Sequence, residues 1–470
     1  MLKTPKITVL AALLLGTTLS GAQAASGEVQ MVLKDFLSTN ENQATYVENI
    51  EKALAEKGHD IDIKVVDLPS GSYADALGVM LLSGDIPDLI YFQGGDEKIA
   101  AQGVLEDWRP WIEKTEYLKD ALYPHNKARL ENYPYLLFVY PLRGWQPVMR
   151  SDWLEKVGTD VPKSLEEFKA LLEAIRDGDL DGNGQKDTYG FTAGGNLGEL
   201  DGFLNPAFGI DATWLKDENG KWVHAQISDQ EREKLMFYHE LFEEGLLDPE
   251  YVTINWEAKE DKFYTGRAGV VSASRAGNVV VYETKMNTIY PDTGLTLLDP
   301  PSGPGGQGLQ AVDVSREGRG WAMSALSENK EAVVALLDFM ASPEGQMMER
   351  LGLPDIHHKG SGENIEVLPA LGSWESPFMV AANWESPVKL LPEAAEKYLQ
   401  NMQEYFIPDN QFAFPADFAA ALDATDNDYN AWAYRFVSGE VSFDRWDEYV
   451  EAWKADGGSI LLEYAEQQLQ

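Results

Sequence analysis

Residues 28–92 alternate between two hydrophobic periods, and this alternation narrows the possible folds more than any other feature of the chain. "EVQMVLKDF" reads as a strand, and "ATYVENIEKALAEKG" carries apolar residues at helical spacing until Gly58 stops it. "IDIKVVDLP" alternates as a second strand. "SYADALGVMLLSGDIPDLIYF" then gives a helix, a Gly-Asp-Ile-Pro break and a third strand. Repeated strand, helix, strand makes a mostly parallel sheet with helices on its faces the economical fold.

One such unit cannot absorb the whole chain. A single hydrophobic core stops growing at roughly 250–300 residues, so 470 residues predict two lobes. The first crossing between them is expected at residues 141–147, where the aromatic-rich "YLLFVYPLRGWQPVMRSDW" is punctuated by Pro and Gly. The next stretch, "VPKSLEEFKALLEAIRDGD", opens a helix in the second lobe, with Ser164 and Glu167 at capping-box spacing. The Pro/Gly-rich "LLDPPSGPGGQGLQ" predicts the return crossing at residues 303–310. The resulting division gives residues 25–142 and 311–360 to an N-terminal lobe, and 143–310 and 361–470 to a C-terminal lobe. Near the end of the chain, Trp446, Tyr449 and Trp453 fall on one apolar helix face and are expected to pack as core.

The chain opens with Lys3 and Lys6, an apolar run and the small-x-small site at Ala22 and Ala24, so residues 1–24 read as a signal peptide cleaved near Ala24. The sequence contains no cysteine, which excludes disulfides, thiolate metal sites, a cysteine nucleophile and the acylated cysteine of a lipoprotein. An exported, periplasmic protein is the expectation. The formal charge of −39 repels phosphate backbones and argues against a nucleic-acid partner. A hydrophobic content of 44% argues that this acidic chain nonetheless folds around packed cores.

"RDGDLDGNGQKDTYGF" places Asp179, Asp181, Asn183 and Asp187 at positions 1, 3, 5 and 9 of a loop, with Gly184 at 6 for the sharp turn. This is the first part of a calcium loop. Position 12 is Gly190, so the bidentate Glu that completes an EF-hand is missing, and no second amphipathic helix follows. Close repulsion among the carboxylates favours a bound cation over an empty acidic turn, and calcium over magnesium.

Seven segments in order, "SGDIPDLIYF", "GVLEDWRPWI", "VMRSDWLEKVG", "KSLEEFKALLEAI", "FYTGRAGVV", "ALLDFMASPEGQ" and "FVSGEVSFDRWDEYVEAWKADGG", resemble the extracellular solute-binding proteins of family 1, which deliver sugars to ABC importers. The likeness covers nearly the whole chain. It extends to the longer members, which include lipoprotein-type and alginate-binding proteins. The resemblance implies an α/β, two-lobed periplasmic-binding-protein-like fold, each lobe a mixed sheet flanked by helices, with the ligand cleft between lobes. It further implies an oligosaccharide ligand, ABC permease subunits as partners, a monomer, and a structural calcium ion held by Asp179, Asp181, Asn183, the Gln185 carbonyl and Asp187. Relatives carry a carboxylate where Thr188 stands in this sequence.

A sugar cleft needs aromatic platforms and planar polar groups, and ligands of open α/β sheets bind beyond the carboxyl ends of strands. Candidates at such places are Lys34, Asp35, Phe92, Gln93, Asp96, Arg143, Trp145, Asn196 and Arg275. Trp256, Trp374 and Trp384 join them as tryptophans in polar segments. Arg143 and Arg275 would matter most for an anionic ligand, since guanidinium forks recognise carboxylates and sulfates. The rival reading is a secreted carbohydrate-active hydrolase, which needs two carboxylates at a defined separation. A binder of peptides or other non-sugar solutes is the third. The chain has no Gly-x-Ser-x-Gly, no His-Glu-x-x-His and no phosphate-binding Gly loop, and His357-His358 lacks a third metal ligand, so a non-enzymatic protein is expected.

Overall fold

The computed structural model describes residues 24–469 apart from 70–71, 196, 292, 312–317, 375 and 413. The expected signal peptide, up to residue 23, lies outside them. Among the described residues, eight strands build two four-stranded sheets: β1 (Ser26–Val32), β2 (Asp60–Val65), β3 (Leu89–Gln93), β4 (Gln146–Arg150), β5 (Tyr189–Thr192), β6 (Ala268–Ala273), β7 (Leu295–Leu297) and β8 (Arg319–Met323). The first sheet runs β8-β3-β1-β2, the second β5-β6-β4-β7. Strands β1, β2 and β3 are parallel, as the alternation predicts. Strand β8 lies antiparallel to β3 because it enters from the other lobe instead of through a crossover helix. In the second sheet β5 parallels β6, whereas β4 opposes both β6 and β7. Both sheets are therefore mixed and flanked by helices, which agrees with the expected fold class.

Each lobe closes around its own core. Helix Glu41–Glu56 starts at Asn40, whose side chain accepts from the amides of Asn42 and Gln43 at 3.0 and 3.2 Å, and it buries Tyr46, Val47, Ile50, Ala53 and Leu54 toward the first sheet. Helix Leu165–Asp177 does the same for the second sheet with Phe168, Leu171, Leu172 and Ile175. Its Ser164 cap accepts from the Glu167 amide at 3.2 Å, while the Glu167 carboxylate reaches back one residue further than a capping box requires, to the Lys163 amide at 2.7 Å. The helix lies so close to the sheet that a Cβ at Gly190 would sit 2.7 Å from Leu172 Cβ, and one at Gly269 would sit 2.6 Å from Ile175 Cγ2. The terminal aromatics pack as expected. Trp446, Tyr449 and Trp453 are all buried, the last two donating to Gln226.

The lobe division at residue 361 needs correction. Phe378, Val380 and Ala382 belong to the first core, and beyond this stretch the chain packs against the second core from Leu391 onward. Residues 376–384 form an irregular strap whose backbone is held by the helix Pro343–Leu351. Gln346 donates to the carbonyls of Met340 and Val380 and accepts from the Ala382 amide, and Arg350 donates to the carbonyls of Ala382 and Trp384. Trp321 Nε1 adds a bond to Phe378 O at 2.7 Å. Hydrogen bonding replaces periodicity along this stretch, so no hydrophobic pattern marks which lobe it joins.

Glu349, on the same helix, is 1% exposed and accepts from Tyr46 Oη at 2.6 Å. Its Oε1 lies buried near the amides of Phe378, Met379 and Val380 without a well-aligned hydrogen bond. Burial pushes the carboxyl up to about 7. Below about pH 4.5 it is protonated in both the folded and the unfolded chain. Between that pH and about 7 the unfolded chain releases the proton and the folded chain keeps it, so stability falls by about 1.4 kcal/mol per pH unit. Glu349→Gln removes this dependence. Relative to wild type, the variant should gain stability between pH 5 and pH 7.5 in urea denaturation; a difference that does not change with pH would remove Glu349 from this role.

Candidate ligand cleft

The two lobes meet around a cavity of about 1000 Å³, at the upper end of the range for small-molecule sites. The first lobe contributes Tyr123, His125 and Arg350, the strap and the segment before it Trp374 and Trp384, and the second lobe Arg275. Arg275 stands at the carboxyl end of β6, where the helix Ala276–Ile289 begins, which is the position that strand topology predicts for ligand contacts. Its Nη1 lies 4.0 Å from Sδ of Met379 in the strap, so the side chain reaches from the second lobe to the first. Met379 has a φ of 52°, a left-handed conformation uncommon outside glycine.

Trp384 lies beneath Arg350, whose Cζ is 5.3 Å from the ring centroid. Trp374 donates from Nε1 to Glu349 O at 2.7 Å and meets Tyr46 edge-on at 5.1 Å, so part of its ring packs while the rest faces the cavity. His125 stacks on Tyr123 at 5.5 Å, and its Nε2 lies 2.8 Å from Tyr140 O. Burial lowers its pKa, so the neutral ring donates that bond. A second cavity of about 620 Å³ shares Pro124, His125, Leu142 and Phe406 with the first.

Three expected residues, Arg275, Trp374 and Trp384, therefore line the larger cavity. Trp145 and Trp256 form a separate shelf on the second lobe, their rings 5.9 Å apart. Trp256 opens the helix Trp256–Tyr264, capped by Asn255, and does not lie in an irregular segment. Beneath the shelf, fully buried Lys259 places its Nζ 3.6 Å from the Trp256 ring and 2.9 Å from both carboxylate oxygens of Glu199. Burial lowers the Lys259 pKa and raises that of Glu199, each opposed by the partner's charge. Asn196 lies outside the described residues.

The first-lobe expectations fare differently. Phe92 is 1% exposed and packs with Leu77, Leu81 and Ile99; β3 is covered on both faces, so this ring is core and not a ligand platform. Asp96 is also buried, and accepts from Tyr135 Oη at 3.2 Å beside Gly318. Its role is to hold the segment after β3. Lys34 and Asp35 pair at 3.5 Å in the turn after β1, where Asp35 has a φ of 60°, and Gln93 closes β3 opposite Arg319. Arg143 sits half-buried in the crossing, outside both cavity walls. Sequence reasoning passed over Tyr123, His125 and Arg350. Gln346, Glu349 and Arg350 do share one helix face, a pattern that normally marks solvated surface.

In the acidic loop, Asp179 Oδ2 accepts from the Gly184 amide at 3.0 Å, and the Asn183 amide nitrogen bridges Asp181 at 2.8 Å and Asp187 at 3.1 Å. Arg267 reaches the other oxygen of Asp187 at 3.2 Å. These two donors relieve the carboxylate repulsion, and no group of three or more His, Asp or Glu that could hold a metal ion occurs among the described residues. All the expected donor groups are oxygens suited to a hard cation, so the chemistry of the set fits calcium, provided that Asn183 and Arg267 give way. Thr188 is buried and donates to Gly266 O at 2.9 Å, a bond that a carboxylate cannot make. Gly190 already belongs to β5.

The family model for bacterial extracellular solute-binding proteins matches residues 38–347. This chain belongs to that family. Lipoprotein LipO of Bacillus subtilis is 24% identical to this solute-binding protein over 87% of this chain and 86% of its own. The fructooligosaccharide ABC transporter substrate-binding protein FusA of Streptococcus pneumoniae is 24% identical over 83% and 81%. The structure of FusA with kestose superposes with a TM-score of 0.65, 20% identity and coverage of 94% and 98%; an EF-hand mutant of FusA matches at 0.64. That of the alginate-binding protein AlgQ2 without calcium ion also matches at 0.65, with 16% identity and coverage of 96% and 99%. These neighbours share the two-lobed fold. No helix among the described residues is long and apolar enough to cross a membrane.

The shelf of Trp145 and Trp256 rests on the Lys259–Glu199 pair, and removing one partner of a buried pair costs about 3–5 kcal/mol. Lys259→Met should destabilise the protein by about that amount at pH 8. The loss should be smaller at pH 5, where Glu199 takes up a proton more readily. Adding Glu199→Gln should recover much of the stability; equal losses for the single and double variants in urea denaturation would show that the pair does not act as a unit.

Proposed function

We propose that this solute-binding protein captures an oligosaccharide between its lobes and delivers it to the permease subunits of an ABC importer, acting as a periplasmic monomer without cleaving its ligand. The carrying observation is the inter-lobe cavity, in which Trp374 and Trp384 offer apolar faces beside the planar polar groups of Arg275 and Arg350. Sugars present CH faces and hydroxyl rings to such walls. The chain changes lobe near residues 140–146, between Leu309 of the second core and Trp321 of the first, and again after Trp384, and such repeated passages suit a hinge that closes on the ligand. FusA and AlgQ2 support a sugar ligand by their named specificities.

Calcium is part of this reading. Asp179, Asp181, Asn183, the Gln185 carbonyl and Asp187 would hold the ion, which would take over the neutralising role now filled by the N–H donors of Asn183 and the guanidinium of Arg267. Its effect would be structural, pinning the end of helix Leu165–Asp177 to the start of β5.

A thermal-shift screen of oligosaccharides tests binding, because a ligand at 100 times its Kd stabilises by about 2.7 kcal/mol. The active sugar should then survive prolonged incubation intact, and should reduce the radius of gyration in small-angle scattering. Turnover that disappears when a single carboxylate is substituted would establish the hydrolase instead. For the loop, melting should occur at a higher temperature in millimolar calcium than in excess chelator, and Asp181→Ala should abolish that difference while leaving sugar affinity largely intact. Identical melting under both conditions would remove calcium from the proposal.

A further inference from the structure

Acidic residues outnumber basic ones 77 to 38 in this chain, yet the wall of the larger cavity reverses the balance. Its described residues include the cations Arg275, Arg350 and Lys389 against the single acid Glu396. Lys389 is spoken for, since its Nζ lies 3.0 Å from Glu396. Arg350 differs: it is half-buried, its hydrogen bonds run to the carbonyls of Ala382 and Trp384, and among the described residues no carboxylate lies within ion-pair distance of it. The neighbouring Glu349 carboxyl turns to Tyr46 Oη, and the other ionisable groups that influence Arg350 are the hydroxyls of Tyr123 and Tyr140. Carbonyl oxygens satisfy two of the five guanidinium N–H donors and none of its charge.

Buried charges in proteins are ordinarily paired. We propose that the ligand is an anionic oligosaccharide, and that its carboxylate or sulfate group supplies the counter-charge for Arg350 in the cavity wall. The inference rests on the sugar-binding reading of this cavity and adds the class of sugar. Arg275, reaching across from the second lobe, brings a second guanidinium to the same space. Two forked cations beside Trp384 suit a sugar that presents an anionic edge and an apolar face. The remaining negative surface does not prevent this, because at physiological salt it is screened over about 8 Å.

Titration calorimetry on the full chain, at one fixed ionic strength, tests the idea with matched pairs. Trigalacturonate is compared with its fully methyl-esterified form, a chondroitin sulfate tetrasaccharide with its desulfated form, and kestose serves as a neutral control. At least one anionic sugar should bind about tenfold or more tighter than its matched partner and than kestose. The pair that shows the difference distinguishes carboxylate from sulfate. If kestose or a neutralised partner binds as tightly as the acids or more tightly, the anionic inference falls and the sugar-binding reading stands. If nothing in the panel binds, both fall. Arg350→Gln should erase the preference, weakening the anionic member by at least tenfold more than its neutralised partner, whereas Arg350→Lys, which keeps the charge, should retain part of it. The wild-type comparison decides the matter even if either variant fails to fold.

Discussion

Residues 376–384 cross the first lobe outside any helix or strand, and such a segment brings amides and carbonyls that no ladder satisfies. The helix Pro343–Leu351 meets this demand with an unusual polar face. Gln346 takes both a carbonyl and an amide of the strap, Arg350 takes two carbonyls, and the indole of Trp321 takes another from the sheet side. Each bond contributes only about 1 kcal/mol net, but leaving a buried group unpaired costs more than making the bond gains. The position of the strap fixes those of Trp384 and Met379, and through Met379 the place where Arg275 touches the opposite lobe. The cavity wall thus depends on a few side chains that lie behind it.

Much of the fold was legible because it rests on periodicity. The strand-helix-strand alternation of residues 28–92 marked β1 to β3, and the stripes on helices Glu41–Glu56 and Leu165–Asp177 matched the faces they bury. The strap was not legible, since its affiliation is decided by hydrogen bonds from residues distant in sequence. Arg350 escaped notice for the same reason. Gln346, Glu349 and Arg350 would ordinarily mark the solvent side of a helix, and only the strap lying over them makes that side an interior one. Phe92 illustrates the opposite error: the end of a strand was a sound place to seek ligand contacts, but the ring points into a small core.

The second lobe relies on charge in its interior as well. Lys234, 1% exposed, is bound by Asp201 and Glu231, and Lys259 is bound by Glu199. Ion pairs of this sort add little net stability compared with well-packed apolar residues, while breaking them is costly. Their value lies in placing groups that a purely apolar core would leave free to slide. Lys259 illustrates this by seating two tryptophans.

The packing at Gly190 limits how the acidic loop can change. The twelfth position of a complete EF-hand needs a glutamate, and here that position is a strand residue at which a Cβ would lie 2.7 Å from Leu172 Cβ and 2.8 Å from the carbonyl oxygen of Leu246. No single substitution can convert this loop into a high-affinity sensor without parting the helix from the sheet. Any gain in cation affinity at this loop would have to come from positions other than the twelfth, Arg267 among them, and the same barrier would confront any lineage drifting toward calcium signalling from this scaffold.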